Sequence, residues 1–216
     1  MSLDLSKVAK AVEEAKRLAK PRKFAQSVEL IIKLRDVDMK RPENRINMEV
    51  VLPHPPPEKL AKVAVIATGD LALKAKEAKA DMVITREDLE KAAANKRLAR
   101  KLAKSVDFFL AQPDLMPVVG RYLGKYLGPR GKMPRPVPPS ADIAAMIERY
   151  RKCIRIRTRD QPLVMCRVGL ETQSPEEIAE NIGAVVEALK TKFKIPYNVE
   201  RMYVKLTMGP AVEVEL

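Results

Sequence analysis

Tryptophan is absent from this 216-residue chain, histidine occurs once, cysteine twice, and aromatic residues make up only 4%. Each shortage removes a class of function. The single histidine, His54, stands among prolines in "LPHPPPEKL", where it makes a poor catalytic base and reads as an ordinary loop residue. Cys153 and Cys166 have no CxxC spacing and no histidine nearby, so no zinc site is expected and both read as small core residues. So few cysteines fit a reducing compartment. No stretch approaches the ~20 consecutive apolar residues that cross a bilayer. The start, "MSLDLSKVAKAVEEAKRLAK", carries acids and lacks the apolar run of a signal peptide. A cytoplasmic protein with no membrane partner is expected. The eight glycines match neither GxxxxGK[ST] nor GxGxxG, and there is no HExxH or EF-hand pattern. No catalytic set can be assembled, so no enzyme, cofactor or metal is expected. Missing tryptophan, scarce asparagine and glutamine, and plentiful Lys, Arg and Glu together lean towards a thermophilic source.

Positive charge is what the chain has in excess. The formal net charge is +13 and apolar residues make up 46%. A chain this apolar buries a real core, and a chain this basic has a polyanion as its first candidate partner. The charge is uneven: residues 1–60 hold 13 basic and 9 acidic side chains, residues 61–153 hold 19 and 10, and residues 154–216 hold 9 of each. Charge alone points to the middle third.

The hydrophobic pattern changes twice along the chain. "DLSKVAKAVEEAKRLA" is an amphipathic helix with Leu5, Val8, Val12 and Ala15 on one face, stopped by Pro21. "SVELIIKL" and "INMEVVL" alternate as strands, joined by a polar loop into a long hairpin. After the proline cluster, "KVAVIA", "DMVIT" and "DFFLA" are short apolar strands separated by the helices "DLALKAKEAKA" and "REDLEKAAANKRLARKLAKSV", the pattern of a parallel sheet covered on both faces. "SADIAAMIERYRK" is a further helix. Half-exposed strands then return: "CIRIRTRDQPLVMCRVG" as a hairpin turning near Asp160–Pro162, and "RMYVKLTMGPAVEVEL" as a last strand interrupted by Thr-Met-Gly-Pro. Between them Ser174 and Glu177 form a capping box for "PEEIAENIGAVVEALKTKF", with Ile178, Ile182, Val185 and Leu189 as its buried stripe. Neither end is complete alone. The expected fold is therefore α/β and α+β in two domains: a split α+β open-sheet domain from residues 1–60 and 154–216, and an inserted parallel-sheet, three-layer α/β domain, residues 61–153. Two crossings between them allow relative motion.

The stretch "YLGKYLGPRGKMPRPVPP", residues 122–139, holds four Lys or Arg, three Gly, five Pro and no acid. Asp114 can cap a helix here, Pro117 starts it and Gly128 ends it. Gly120, Gly124 and Gly128 share a face, a spacing that lets another backbone come close. Beyond the helix the loop is stiff, with Gly for unusual dihedrals and Pro for fixed ones. Lys132 in this loop can be read as a nucleotide-phosphate ligand or as part of a structural loop.

"GRYLGKYLGPRGKMPRP" resembles the signature of the first large-subunit ribosomal protein family, L-one, and the likeness extends to "RKFAQSVELIIKL", "RPENRINMEVVLPH" and "TMGPAVEV". "KRPENR" and "LPH" resemble its archaeal branch. The resemblance implies the mobile lateral stalk of the large subunit, with three RNA partners: large-subunit ribosomal RNA, deacylated transfer RNA at the exit site, and the protein's own messenger RNA, which it represses. It implies a protein that is monomeric when free. It assigns the RNA surface to the split domain, at Lys23, Phe24, Ser27, Glu29, Arg167, Val168, Gly169, Thr207, Met208 and Gly209. Lys23 and Arg167 suit phosphate, Ser27 and Thr207 suit ribose hydroxyls, and Phe24 and Met208 offer apolar contact. Taken alone, Phe24 and Met208 read as core packing before they read as contact residues. Glu29 needs a hydroxyl or amine donor to sit beside RNA. Leu170 stands where some relatives carry Lys, which removes a phosphate contact there. Arg130, Lys132 and Arg135 in the basic loop are expected to attract or orient RNA rather than read it.

Overall fold

The N-terminal part contributes α1 (Leu5–Leu18), β1 (Ser27–Leu34) and β2 (Asn47–Val51). An insertion follows with β3 (Val63–Ile66), α2 (Asp70–Glu77), β4 (Met82–Ile84), α3 (Arg86–Ala94), α4 (Lys96–Ser105), β5 (Phe108–Ala111), α5 (Met116–Leu127), β6 (Arg135–Pro136) and α6 (Ile143–Arg151). The chain then returns with β7 (Cys153–Arg157), β8 (Leu163–Leu170), α7 (Pro175–Lys190), β9 (Val199–Leu206) and β10 (Ala211–Val214). This computed structural model describes residues 3–138, 141–158 and 160–215. Pro139 and Ser140, where the stiff loop was expected to end and a helix to begin, lie outside the described residues, as do Arg159 of the expected hairpin and Leu216 of the expected last strand. Two compact units result: Met1–Lys59 with Lys152–Leu216, and Leu60–Arg151. Cys153, placed with the insertion from the sequence, opens β7 of the split unit, where the preceding Lys152 carbonyl accepts from Leu52 N–H at 2.9 Å.

The split unit is an antiparallel four-stranded sheet in the order β10-β9-β1-β8, with a separate ribbon of β2 and β7. α1 and α7 pack on each other and on the sheet. α1 starts where the Asp4 carboxylate accepts from Ser6 N–H at 3.0 Å. Hydrogen bonds from the Ser6 hydroxyl and amide hold that carboxyl below its usual range. Val8, Ala11, Val12 and Ala15 are buried, while Leu5, expected on the same face, is exposed in the first turn. Val28, Leu30, Ile32 and Leu34 all face the core, as the alternation required. Neither expected hairpin pairs its own two strands among the described residues. β1 pairs with β8 and β9, and β2 pairs with β7. Alternation fixes which face of a strand is buried, not which strand lies beside it; here the partners come from beyond the insertion. The Thr-Met-Gly-Pro stretch is likewise a turn between two paired strands, β9 and β10, rather than an interruption in one.

The two cysteines are buried. Burial pushes the Cys166 thiol up to about 12. Because the thiolate is the reactive form, neither cysteine should react with an aromatic disulfide reagent at mildly alkaline pH in the folded chain, and both should react in guanidinium. Rapid native labelling of Cys166 would contradict its placement in the core.

In the insertion a parallel sheet runs β4-β3-β5-β6. Val63 to Ile66 and Phe108 to Ala111 are all buried, as strands covered on both faces must be. α3, α4 and α5 share one core with Ala64, Ile66 and Phe109. On the other side α2 packs on α6, and Tyr150 meets Phe108 with ring centroids 5.3 Å apart. The single long helix expected after β4 is two. Asn95 ends α3 and caps α4, its side chain accepting from Arg97 N–H at 3.0 Å and Leu98 N–H at 3.3 Å; a residue this suited to N-capping restarts the helix. Asp114 does not cap α5. It sits in a 3-10 turn, Pro113–Leu115, that leads into the helix. Gly128 stays right-handed, and the chain reverses at Gly131, φ 68°. Lys132 N–H then closes on Leu127 O at 2.9 Å, a glycine-terminated helix end. Gly120 and Gly124 face open space, so no backbone approaches there. β6, from the proline loop, is an edge strand the sequence pattern did not suggest; prolines are tolerated at such an edge.

Candidate nucleic-acid interface

The core-facing series of β1, Val28 to Leu34, extends backwards by two to Gln26, a polar residue in an apolar register. Gln26 is 1% exposed. Its backbone exchanges two hydrogen bonds with Glu171: Gln26 N–H donates to the carboxylate, and Gln26 O accepts from Glu171 N–H, both at 3.0 Å. Its side-chain amide donates to Lys20 O at 3.1 Å, and its Oε1 accepts from Met208 N–H at 3.1 Å. One buried side chain thus ties the segment after α1 to the β9–β10 turn, and its backbone adds the end of β8. Thr207 closes the same joint. Its N–H donates to Ser27 O at 3.0 Å, and its Oγ1 accepts from Ser27 N–H at 3.2 Å. Gly209 N–H completes the turn on Leu206 O at 3.0 Å.

This scaffold turns two large apolar side chains outward. Phe24 is 52% exposed and Met208 56%, so the core reading of both is excluded. Lys23 is exposed beside Phe24, and Ser27, Glu29 and Arg167 are half-buried. Glu29 stands in register between Arg167 on β8 and Lys205 on β9. Directly opposed side chains lie close in an antiparallel sheet, so Glu29 stands between two cationic residues. Arg167 donates to Lys59 O at 2.9 Å, and Lys59 Nζ donates to Ala25 O at 2.9 Å, which anchors the segment carrying Phe24.

Other expected contact residues shape this surface from beneath. Val168 is fully buried. It is the extra residue of a bulge, since Val28 pairs with Gly169 and Glu29 with Arg167. Its carbonyl accepts from the Asn181 side chain at 2.8 Å. A Cβ on Gly169 would stand 2.9 Å from both Gln173 Oε1 and Ile178 Cγ1, and one on Gly209 would stand 3.3 Å from Ala19 Cβ. A side chain at Gly169 would force its neighbours to shift, and one at Gly209 would be tight, so both glycines answer to packing inside the protein. The proline segment is also part of the scaffold. His54 N–H donates to Asn181 Oδ1 at 2.9 Å, and His54 O accepts from Asn181 and Gln173 at 2.7 and 3.0 Å. The His54 ring meets Glu180 at 2.7 Å. Sequence reasoning missed Gln26, Asn181, Lys59, Lys205 and Glu171. The available signal was a polar residue inside an apolar series, at Gln26 in β1 and at Asn181 beside Ile178 and Ile182 in α7.

The basic loop lies on the other unit. Lys132 Nζ donates to Val106 O at 2.5 Å and Ala103 O at 3.2 Å, and lies 3.8 Å from Asp107. It staples the end of α4, so the structural reading of Lys132 holds. Arg130 and Arg135 are exposed.

The model of the Ribosomal protein L1p/L10e family matches residues 8–210. Curated relatives align along nearly the whole chain. The large ribosomal subunit protein uL1 of Thermofilum pendens is 57% identical, covering 99% of this chain and 97% of its own length. That of Pyrobaculum islandicum is 53% identical, covering 93% and 90%. That of Methanocaldococcus jannaschii is 51% identical, covering 99% and 97%. A match that takes in both parts of the split unit and the whole insertion, with relatives at more than half identity, shows that the chain belongs to the ribosomal protein L1p/L10e family.

Proposed function

We propose that this chain is a structural, non-catalytic constituent of the large subunit of the cytoplasmic ribosome and that it holds a compact fold of ribosomal RNA on the surface built around Gln26. The relatives' shared name supports the first part. The observation that carries the second is the exposure of Phe24 and Met208 on a backbone that Gln26 and Thr207 lock in place. Exposed apolar side chains on a rigid frame suit unstacked bases, and neighbouring Lys23 suits phosphate. On the same reading the protein forms the mobile lateral stalk beside the transfer-RNA exit site and assists release of deacylated transfer RNA. When free it is a monomer that represses its own messenger RNA by binding a mimic of the ribosomal fold.

Footprinting on total ribosomal RNA tests this. One protected region in large-subunit RNA is expected. Phe24→Ala and Met208→Ala should each weaken binding by about 1–3 kcal/mol, the scale of one lost stacking or apolar anchor, with unchanged circular dichroism. Full affinity in both variants would remove the surface from consideration. Repression of a reporter carrying the gene's own leader, lost in the same variants, tests the regulatory role.

A further inference from the structure

The insertion carries a concave basic surface that the Gln26 joint does not use. α4 presents Arg97, Arg100, Lys101 and Lys104, spaced so that they share one helical face. Lys125 and Tyr126 of α5 and Arg130 beyond it form the facing wall of a groove of about 650 Å³. No acid lines it. Among the described residues none of its six cations is in a salt bridge, in contrast to Lys132 close by. Like charges one turn apart on a helix repel, and a bound polyanion removes that repulsion. At 1.5 Å per residue, Arg97 and Lys104 stand about 10 Å apart along α4. That row is too long for one phosphate group and suits successive phosphates of a strand. Half-buried Tyr126 adds a ring against which a base or ribose can lie.

We infer that the groove between α4 and the end of α5 is a second RNA site, which takes the phosphodiester backbone of a single strand or loop without reading its sequence. It belongs to the other unit and differs from the Gln26 surface in chemistry: cations with one ring, rather than a locked turn with two exposed apolar side chains.

The test uses the full chain and a fluorescent oligouridylate of about a dozen nucleotides, which has no compact fold to offer the Gln26 surface. Anisotropy is measured across a salt series. All four α4 cations are exposed, so Arg97→Gln/Arg100→Gln/Lys101→Gln/Lys104→Gln leaves the core untouched. This variant should bind roughly 30-fold more weakly, and its log–log salt slope should flatten by about 2, the loss of about three single-strand phosphate contacts. A control of equal charge change, Lys62→Gln/Lys74→Gln/Lys76→Gln/Arg149→Gln, also exposed, should lose less than about 3-fold. The quadruple α4 variant should still distinguish the footprinted ribosomal fragment from a scrambled fold, which keeps this site distinct from the one proposed above. Equal losses in the two quadruple variants would mean a diffuse field and would overturn the groove. Displacement of the oligouridylate by oligoglutamate of the same charge, at the same concentration, would overturn its assignment to RNA.

Discussion

Asn181→Ala should destabilise the split unit by about 2–5 kcal/mol. Asn181 is 0% exposed in the middle of α7, on the face carrying Ile178, Ile182 and Val185. Its amide satisfies His54 N–H, His54 O and Val168 O. After truncation the His54 carbonyl keeps its bond from Gln173. The part-buried His54 N–H and the buried Val168 O are left without these partners, and each such group that water does not reach costs about 1–3 kcal/mol. Hydrogen exchange read by mass spectrometry separates the two units. Protection should fall in β1, β8 and α7 and stay unchanged in the insertion, whose core is its own. Asn181→Leu tells polarity from packing: it fills the space and leaves the same groups unpaired, so it should not restore stability. If leucine proves as stable as asparagine, the polar account of this position is wrong. RNA binding should weaken with stability, because the bulge at Val168 sets which β8 residues stand opposite Ser27 and Glu29.

What the sequence revealed and what it hid follow from the range of each signal. Local signals were sufficient. The Ser174–Glu177 capping box forms with both hydrogen bonds, at 3.1 and 3.2 Å, and the apolar runs of β3 and β5 are buried throughout. Signals that depend on a distant partner were not legible. Alternation in β1 and β2 identified their buried faces but suggested a hairpin, whereas the real pairings span the insertion. Asn95 was read inside a helix because its neighbours are strong helix formers, yet its side chain is a better cap than its backbone is a continuation. The basic loop drew attention through composition, but Lys132 serves the end of α4. The residues that build the interface frame, Gln26 and Asn181, carry no charge and match no motif. They betray themselves only as polar interruptions of apolar series, and that reading needs the register first. Phe24 shows the limit most clearly: its residue type favours a core, and only its exposure decides against that reading.

Removing Leu60–Arg151 and joining Lys59 to Lys152 through a short Gly/Ser linker sets charge against shape. The ends to be joined are neighbours at the root of the insertion, where Ala61 N–H donates to Arg151 O at 3.1 Å. The remaining unit keeps its own hydrophobic core, since every residue of that core lies outside the deleted segment. It also keeps Gln26, Thr207, Met208 and Phe24. It holds only +5 of the +13 charge, the deleted residues having 18 basic and 10 acidic side chains. If charge governs recognition, specificity should go with the insertion. The expected result is the reverse. The deletion variant should distinguish the footprinted ribosomal fragment from a scrambled fold of the same length about as well as the full chain does. It should associate more slowly, because the larger part of the steering field is gone, and its oligouridylate binding should be nearly abolished with the α4 groove. Competition binding at two salt concentrations measures both properties. Loss of discrimination in a deletion variant whose circular dichroism shows it folded would move the recognition element into the insertion, and the exposed Phe24 and Met208 would then need another explanation.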